Sequence, residues 1–169
     1  MKKHNFEITQ KDIVANGLIA AAYAVLTIIT SPISFQAIQF RISEIMVLLC
    51  FFNRRYSIGL VLGCVLANLV SPLGLMDIGF GTLATLLACL GMMFVDKLLL
   101  AIIFPVITNA FIVGFELFLI GEPFWFSCLT VGLGELAVLI VGYIIFILMK
   151  KNKKFFLAIG ANRNIDFKF

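Results

Sequence analysis

Apolar runs of near-spanning length, separated by short polar breaks, repeat along this chain from about residue 13 to residue 149. The breaks are Ser31-Pro32, Asn53-Arg54-Arg55, Ser71-Pro72-Leu73-Gly74, Asp96-Lys97 and Gly121-Glu122-Pro123. Proline disfavours helix at the residue before it, and Gly, Ser and Asn punctuate turns. The pattern therefore predicts six helices, over about 12–30, 36–53, 56–70, 79–95, 98–120 and 124–149. The first is about 28 Å long as a helix, enough to cross a hydrocarbon core about 30 Å thick. Pro105 falls inside the fifth run and predicts a kink. From Lys150 the chain turns basic and polar, which predicts a solvated, weakly ordered tail over 150–169.

Composition sharpens this into an all-α integral membrane protein. Hydrophobic residues are 62% of the chain and mean hydropathy is +1.12, so six spans fill it as a single membrane domain over 1–169. The first apolar run lacks a cleavage-site pattern and reads as a retained span. The net charge of +4 is arranged by position. Twelve of the thirteen Lys and Arg fall in the amino-terminal leader, the Arg54-Arg55 turn, the Lys97 turn and the tail, and only Arg41 falls elsewhere. Positive residues stay inside, so both termini are expected to be cytoplasmic in a multi-pass protein of the cell membrane. Cys50, Cys64, Cys89 and Cys128 sit in apolar runs without C-x-x-C spacing and read as buried small hydrophobes. His4, the only histidine, lies in the leader, which excludes histidine catalysis; no metal or cofactor is expected.

Against this background Gln39-Phe40-Arg41-Ile42-Ser43-Glu44 is anomalous. An arginine or carboxylate at membrane depth costs about 2.5–3.5 kcal/mol on insertion scales, which marks it as a site or an ion pair. Counting about 1.5 Å per helical residue from the breaks puts Glu44 roughly 14 Å and Arg41 roughly 18 Å above the cytoplasmic end of the second helix. Asn109 and Glu135 come out roughly 16 Å below the outer boundary, and Glu116 about 6 Å below it. Asn68 lies near the outer end of the third helix, and Asp77 and Glu122 lie outside. Asn109 and Glu116, seven apart, share a helix face. Together Gln39, Arg41, Glu44, Asn68, Asp77, Asn109, Glu116 and Glu135 outline a polar cavity open to the outside. The competing reading is a set of independent interhelical hydrogen bonds plus one Arg41–Glu44 ion pair.

The cavity is acidic apart from Arg41, which suits a cation or a ligand rich in N–H donors. A carboxylate can accept two parallel N–H bonds from a guanine-like edge, and Gln39 and Asn109 offer both donor and acceptor to a flat heterocycle. Phe35, Phe40, Phe80, Phe124 and Trp125 lie near the outer ends, where belt or packing roles compete with stacking on a ligand. Small residues form two stripes, Ala20-x-x-x-Ala24 on the first helix and Gly59-x-x-x-Gly63 on the third. Internal packing uses one and leaves the other for a partner chain. The chain contains no G-x-x-x-x-G-K-[ST], so if it moves a ligand against a gradient the energy must come from partner chains. Glu116 with Glu135 could be invoked as an acid–base pair, but no nucleophile or metal accompanies them, so an enzyme is disfavoured.

In order along the chain, the 39–44 segment, Gly59 through Gly63-Cys64 to Ala67-Asn68, Asp77-Ile78-Gly79-Phe80-Gly81-Thr82, Asn109 with Glu116, and Val131-Gly132-Leu133-Gly134-Glu135 resemble the QueT-type queuosine-precursor transporters. These are substrate-binding S components of energy-coupling factor (ECF) transporters. The resemblance implies a six-helix S component that captures a 7-deazaguanine from outside. It also implies a transmembrane T component and two cytoplasmic ATPase subunits as partners, with Ala20 and Ala24 at the T-component contact. Vitamin-specific relatives share this scaffold, so a different vitamin or purine-like base stays open, as does a membrane partner protein without transport.

Overall fold

The computed structural model describes residues 9–34 and 39–164, which are helical apart from turns and short extended links. The expectations for His4 and Phe35, and the start of the second helix at 36, fall outside the described residues. The helices are α1 (Gln10–Ile29), α2 (Ile42–Phe52), α3 (Ser57–Asn68), α4 (Leu75–Met92), α5 (Leu98–Leu119), α6 (Phe124–Met149) and α7 (Lys153–Ala158). Single turns at Ser31–Ser34 and Arg54–Tyr56 flank α2. Four of these, α1, α4, α5 and α6, are long and apolar enough to cross a bilayer. Of the six expected spans, these four have spanning length, and α2 and α3 are shorter.

Local chemistry explains the boundaries. Thr9 caps α1 reciprocally with Asp12, giving orphan N–H groups partners at its first turn. Gly74, at φ 59°, turns the chain directly into α4, so α4 begins at Leu75 and Asp77 occupies its first turn. This corrects the expected start at 79 and the placing of Asp77 in a loop. The α5 helix continues through Pro105, with the Thr108 and Asn109 side chains donating to the Phe104 and Pro105 carbonyls. The α2 element opens as 3-10 helix over Ile42–Leu48 and becomes α-helix only at Leu49–Phe52, with 39–41 non-helical before it. A 3-10 helix rises about 2 Å per residue, so depths counted at the α-helical rise are too small there.

Neighbour pairs close a ring in the order α1–α3–α4–α5–α6–α2, with α2 returning to α1 and leaning onto the others. The α1–α3 crossing consumes both small-residue stripes. A Cβ on Gly59 would lie 2.5 Å from the Asn16 carbonyl oxygen, and one on Gly63 would lie 2.8 Å from Tyr23 Cβ. Ala20 and Ala24 are buried within the chain. The ring is apolar outside and polar inside: Trp125, Leu148 and many Leu, Ile and Phe are exposed, while Arg41, Glu44, Asp77, Glu116 and Glu135 are buried. Such inverted burial is what lipid as solvent selects, and the chain is a multi-pass membrane protein.

The basic end is sealed. Val47, Leu48, Phe51, Phe52, Leu60, Met92, Leu98, Leu139 and Phe146 form one buried cluster, and Phe156 from α7 completes it. Phe156 stacks obliquely on Phe52 with ring centroids 5.2 Å apart. After α7 the backbone N–H groups of Asn162 and Arg163 donate to Phe52 O at 3.0 and 3.1 Å, and the Arg163 guanidinium donates to Met93 O and Val95 O. Asn53 and Tyr56 donate to the Gly160 and Ile159 carbonyls. This corrects the expected solvated tail over its described part. The segment caps carbonyls left open at the ends of α2 and α4, and its two phenylalanines supply the driving force that its lysines mask. Phe156→Ala should destabilise the purified protein by about 3 kcal/mol, read as a lowered unfolding midpoint, because a fully buried ring leaves a cavity.

Candidate functional site

The polar interior is assembled from the non-helical 39–41 link upward. Because this link is not helical, the Gln39 backbone can lie directly on α6, where Gly134 has no side chain to obstruct it. Arg41 then points inward, with Nη1 3.9 Å from Glu44 Oε1. The turn is pinned by Glu44 N–H donating to Arg41 O at 2.9 Å. Glu44 is held from α1 by the Tyr23 hydroxyl, which donates to its Oε1, and one turn further Thr27 and Ser43 hydroxyls meet at 2.6 Å. A fully buried Tyr thus orients a fully buried Glu beside the guanidinium.

From the other side, Asn68 Nδ2 donates to the Asp77 carbonyl at 2.8 Å, bridging α3 to the first turn of α4. The Ser71 hydroxyl donates to Asp77 Oδ2 and accepts from Leu73 N–H. Thr85 donates to the Gly81 carbonyl at 3.1 Å and to Cys64 Sγ at 3.3 Å. The absence of a side chain at Gly81 makes room for the Asn68 amide and the Arg41 guanidinium, 2.7 and 3.6 Å from where its Cβ would stand. Glu116 of α5 faces Asp77 and feels Arg41, while Glu135 of α6 feels both Glu44 and Arg41. Four carboxyl side chains from four helices therefore surround one guanidinium.

Above this cluster, at the end opposite the basic turns, lies a cleft of about 250 Å³. Gln39, Asp77, Ser127 and Thr130 give it polar walls, and Leu117, Ile120 and Phe126 give it apolar ones. Asp77 belongs to both cleft and cluster. Among the described residues, Glu44 Oε2, Asn68 Oδ1, Asp77 Oδ1, both Glu116 carboxyl oxygens and Glu135 Oε1 are buried without a hydrogen-bond partner. Buried acceptors left open cost about 1–3 kcal/mol each, so a native protein keeps such a set where something else supplies the donors.

All eight residues singled out from the sequence are buried. Arg41, Glu44, Asn68, Asp77, Glu116 and Glu135 come together as described, and Gln39 joins at the cleft wall. Asn109 stands apart in its bonding, spending its amide on Pro105 O at 3.0 Å within its own helix. Phe80 and Phe124, with Trp125, belong to an outer string that runs through Phe115 and Phe118, so they pack along the lipid side. Phe40 is exposed, and the ring that does line the cleft is Phe126. Sequence reasoning missed Tyr23, Ser71, Ser127 and Thr130. Tyr23 lies three residues after Ala20 on the same helix face, where the small-residue stripe drew the eye; Ser127 and Thr130 share a face with Gly134. Among the described residues no group of three or more His, Cys, Asp or Glu is placed to hold a metal ion.

Comparison with known families supplies the context for this cluster. The family model described as QueT transporter matches residues 13–151. The chain belongs to the QueT transporter family. It is also similar to the queuosine precursor transporter QueT of Lactococcus lactis subsp. cremoris, 33% identical over 162 residues that cover 85% of this chain and 93% of that protein. No solved structure matches the chain. The family match takes in every residue of the polar cluster and stops before α7, so the segment that seals the basic end lies beyond it.

Proposed function

We propose that this chain is the substrate-binding S component of an ECF-type importer for a 7-deazaguanine queuosine precursor. The observation that carries this reading is the set of open, buried acceptor oxygens lying beneath a single cleft. A guanine-type edge offers adjacent N–H donors that one carboxylate can take in parallel, and Arg41 can donate in return to the ring carbonyl. Glu44, oriented by Tyr23, pairs with Arg41 in this role, and Glu135 lies in the same field. Gln39 and the Ser127 and Thr130 hydroxyls line the way in.

The chain crosses the membrane six times, with α2 and α3 as its short crossings. A helix can stop short where its end is buried in protein or lines a cavity, and both of these do so beside the polar cluster. Both termini and the basic turns lie on the cytoplasmic side, and the cleft faces outward. The apolar cluster of Phe51, Phe52, Met92, Leu139 and Phe156 blocks a straight path through the ring, which favours a capture subunit over a channel. Delivery then requires reorientation of the whole body, driven by a T component and two ATPase subunits. Since Ala20 and Ala24 are covered, the T component meets the exposed small residues beside them on α1, Gly17 and Ala21.

Ligand that binds only the folded chain stabilises it by RT ln(1 + [L]/Kd), about 2.7 kcal/mol at a hundredfold excess over Kd. Purified protein should therefore unfold at a higher temperature with a 7-deazaguanine present. A shift with another vitamin or purine and none with any 7-deazaguanine would assign a different specificity. Recovery of the chain from native membranes without a T component or ATPases would instead favour a partner protein outside transport.

A further inference from the structure

At the sealed, basic end two arginines from distant parts of the chain meet on one acceptor. Arg54 Nη2 donates to the Met93 carbonyl at 2.7 Å, and Arg163 Nη1 donates to the same oxygen at 3.1 Å. Arg163 Nη2 also reaches Val95 O at 3.2 Å and the Asp96 carboxylate at 3.4 Å. Two like charges therefore stand side by side, and the Asp96 side chain that pairs with one of them is 86% exposed, where water screens it. Lys97, the next residue, is a third exposed cation. Arg55 is not part of this group, because it is paired with Asp12 at 2.6 Å. A guanidinium carries five N–H donors; among the described residues Arg54 spends one on the protein and Arg163 three. The remaining donors and the excess positive charge suit a phosphate, which guanidinium forks bind through several oxygens at once.

Depth decides which phosphate. Met93 directly follows α4, a helix long and apolar enough to cross the bilayer, so the two arginines are held at its boundary. Phe94, next along the chain, is 86% exposed. An aromatic ring beside cationic side chains at the end of a span is an interfacial anchor, with the ring toward the acyl chains and the charges toward the headgroups. We propose that Arg54 and Arg163 seat the phosphate of an anionic phospholipid, with Phe94 against its acyl chains. The bound headgroup ties together the α2–α3 turn, the α4–α5 turn and the terminal segment, and relieves the repulsion between the two arginines. Arg54 lies within the family match and Arg163 beyond it. The seat does not depend on which ligand the cleft takes; only its assignment to the cytoplasmic leaflet rests on the orientation proposed above.

The test is thermal unfolding of the full-length protein in a neutral detergent, titrated with short-chain phosphatidylglycerol, phosphatidylcholine or inorganic phosphate at constant ionic strength. Phosphatidylglycerol should raise the midpoint by at least about 3 °C, and the other two by less than about 1 °C. In Arg54→Gln, and separately in Arg163→Gln, that rise should fall to less than about half, since an amide keeps a donor but loses the charge and the fork. Lys154→Gln removes an exposed charge from α7 and should leave the rise intact. An equal rise with phosphatidylcholine would mean that acyl chains alone stabilise the protein, and would overturn the proposal. An equal rise with inorganic phosphate would overturn the lipid in favour of a free anion. A full rise in both arginine variants, or the same loss in all three variants, would overturn the seat in favour of diffuse attraction. Arg54 is exposed, so its variant decides the matter even where Arg163→Gln, which disturbs three bonds, fails to fold.

Discussion

Arg41→Ala is expected to weaken deazaguanine binding by at least about a hundredfold while the chain still inserts in the membrane. Arg41 is the one buried Lys or Arg among the described residues, and Glu44, Asp77, Glu116 and Glu135 all lie within its field. Removing one partner of a buried ion pair costs about 3–5 kcal/mol, because the surviving charge has neither water nor counter-ion. Here several carboxyls lose their cation at once, and the relief open to them is to take up protons. Protonated carboxyls turn from acceptors into donors, which inverts the pattern a guanine edge requires. Insertion depends on the apolar outer faces of α1, α4, α5 and α6, which the substitution does not touch. Arg41→Lys should fall between, since an ammonium restores charge without the planar fork. Glu44→Gln should lose less, about tenfold, because an amide oxygen can still accept the Tyr23 O–H. The measurement is a binding titration on detergent-purified protein, with thermal unfolding alongside to separate lost folding from lost affinity. Native affinity in both Arg41→Ala and Glu44→Gln would take this cluster out of the binding site.

The parts of the fold that were legible in the sequence share a physical cause, as do those that were not. The ends of α1, α5 and α6 fall within two residues of their expected places because proline, glycine and charge interrupt an apolar run there. The start of α4 was hidden: Ser71-Pro72 announces a turn, but only the positive φ of Gly74 lets the helix begin as early as Leu75. The 3-10 character of α2 had no sequence signature, since it follows from wedging this segment against α1 and α6 at once. In the tail, Lys150, Lys151, Lys153 and Lys154 outweighed Phe155 and Phe156 in any reading by composition.

The polar cluster was legible because lipid leaves a charge nowhere to go but inward, so finding Arg41, Glu44, Glu116 and Glu135 was nearly the same as finding the cluster. Its partners were not legible. A helix apolar on most faces gives no rotational cue, so nothing in the sequence showed that Tyr23 points at Glu44 or that Ala20 and Ala24 point at α3 rather than outward. The cluster of carboxyls could be read from types and depths; which oxygen meets which donor needed the crossing angles of six helices.

Gly134→Ala is expected to weaken ligand binding by at least about tenfold and to lower the unfolding midpoint, although it adds one methyl group to a helix that would otherwise favour alanine by about 1 kcal/mol. The added Cβ would stand 2.5 Å from Gln39 O, 3.0 Å from Gln39 C and 3.2 Å from Gln39 N. All three are backbone atoms, so no side chain can swing aside. Either α6 tilts away or the 39–41 link lifts off it. Both movements displace Arg41, and with it the geometry that joins Glu44 to Glu135. Gly79→Ala is the control: this glycine is exposed on α4 two residues after Asp77, has nothing within 4 Å of its would-be Cβ, and should be neutral or slightly stabilising. Paired binding titrations and unfolding curves on the two variants separate helix propensity from close approach. Unchanged affinity in Gly134→Ala would mean that the 39–41 link is not held by α6, and the wall of the pocket that carries Gln39 and Arg41 would need another support.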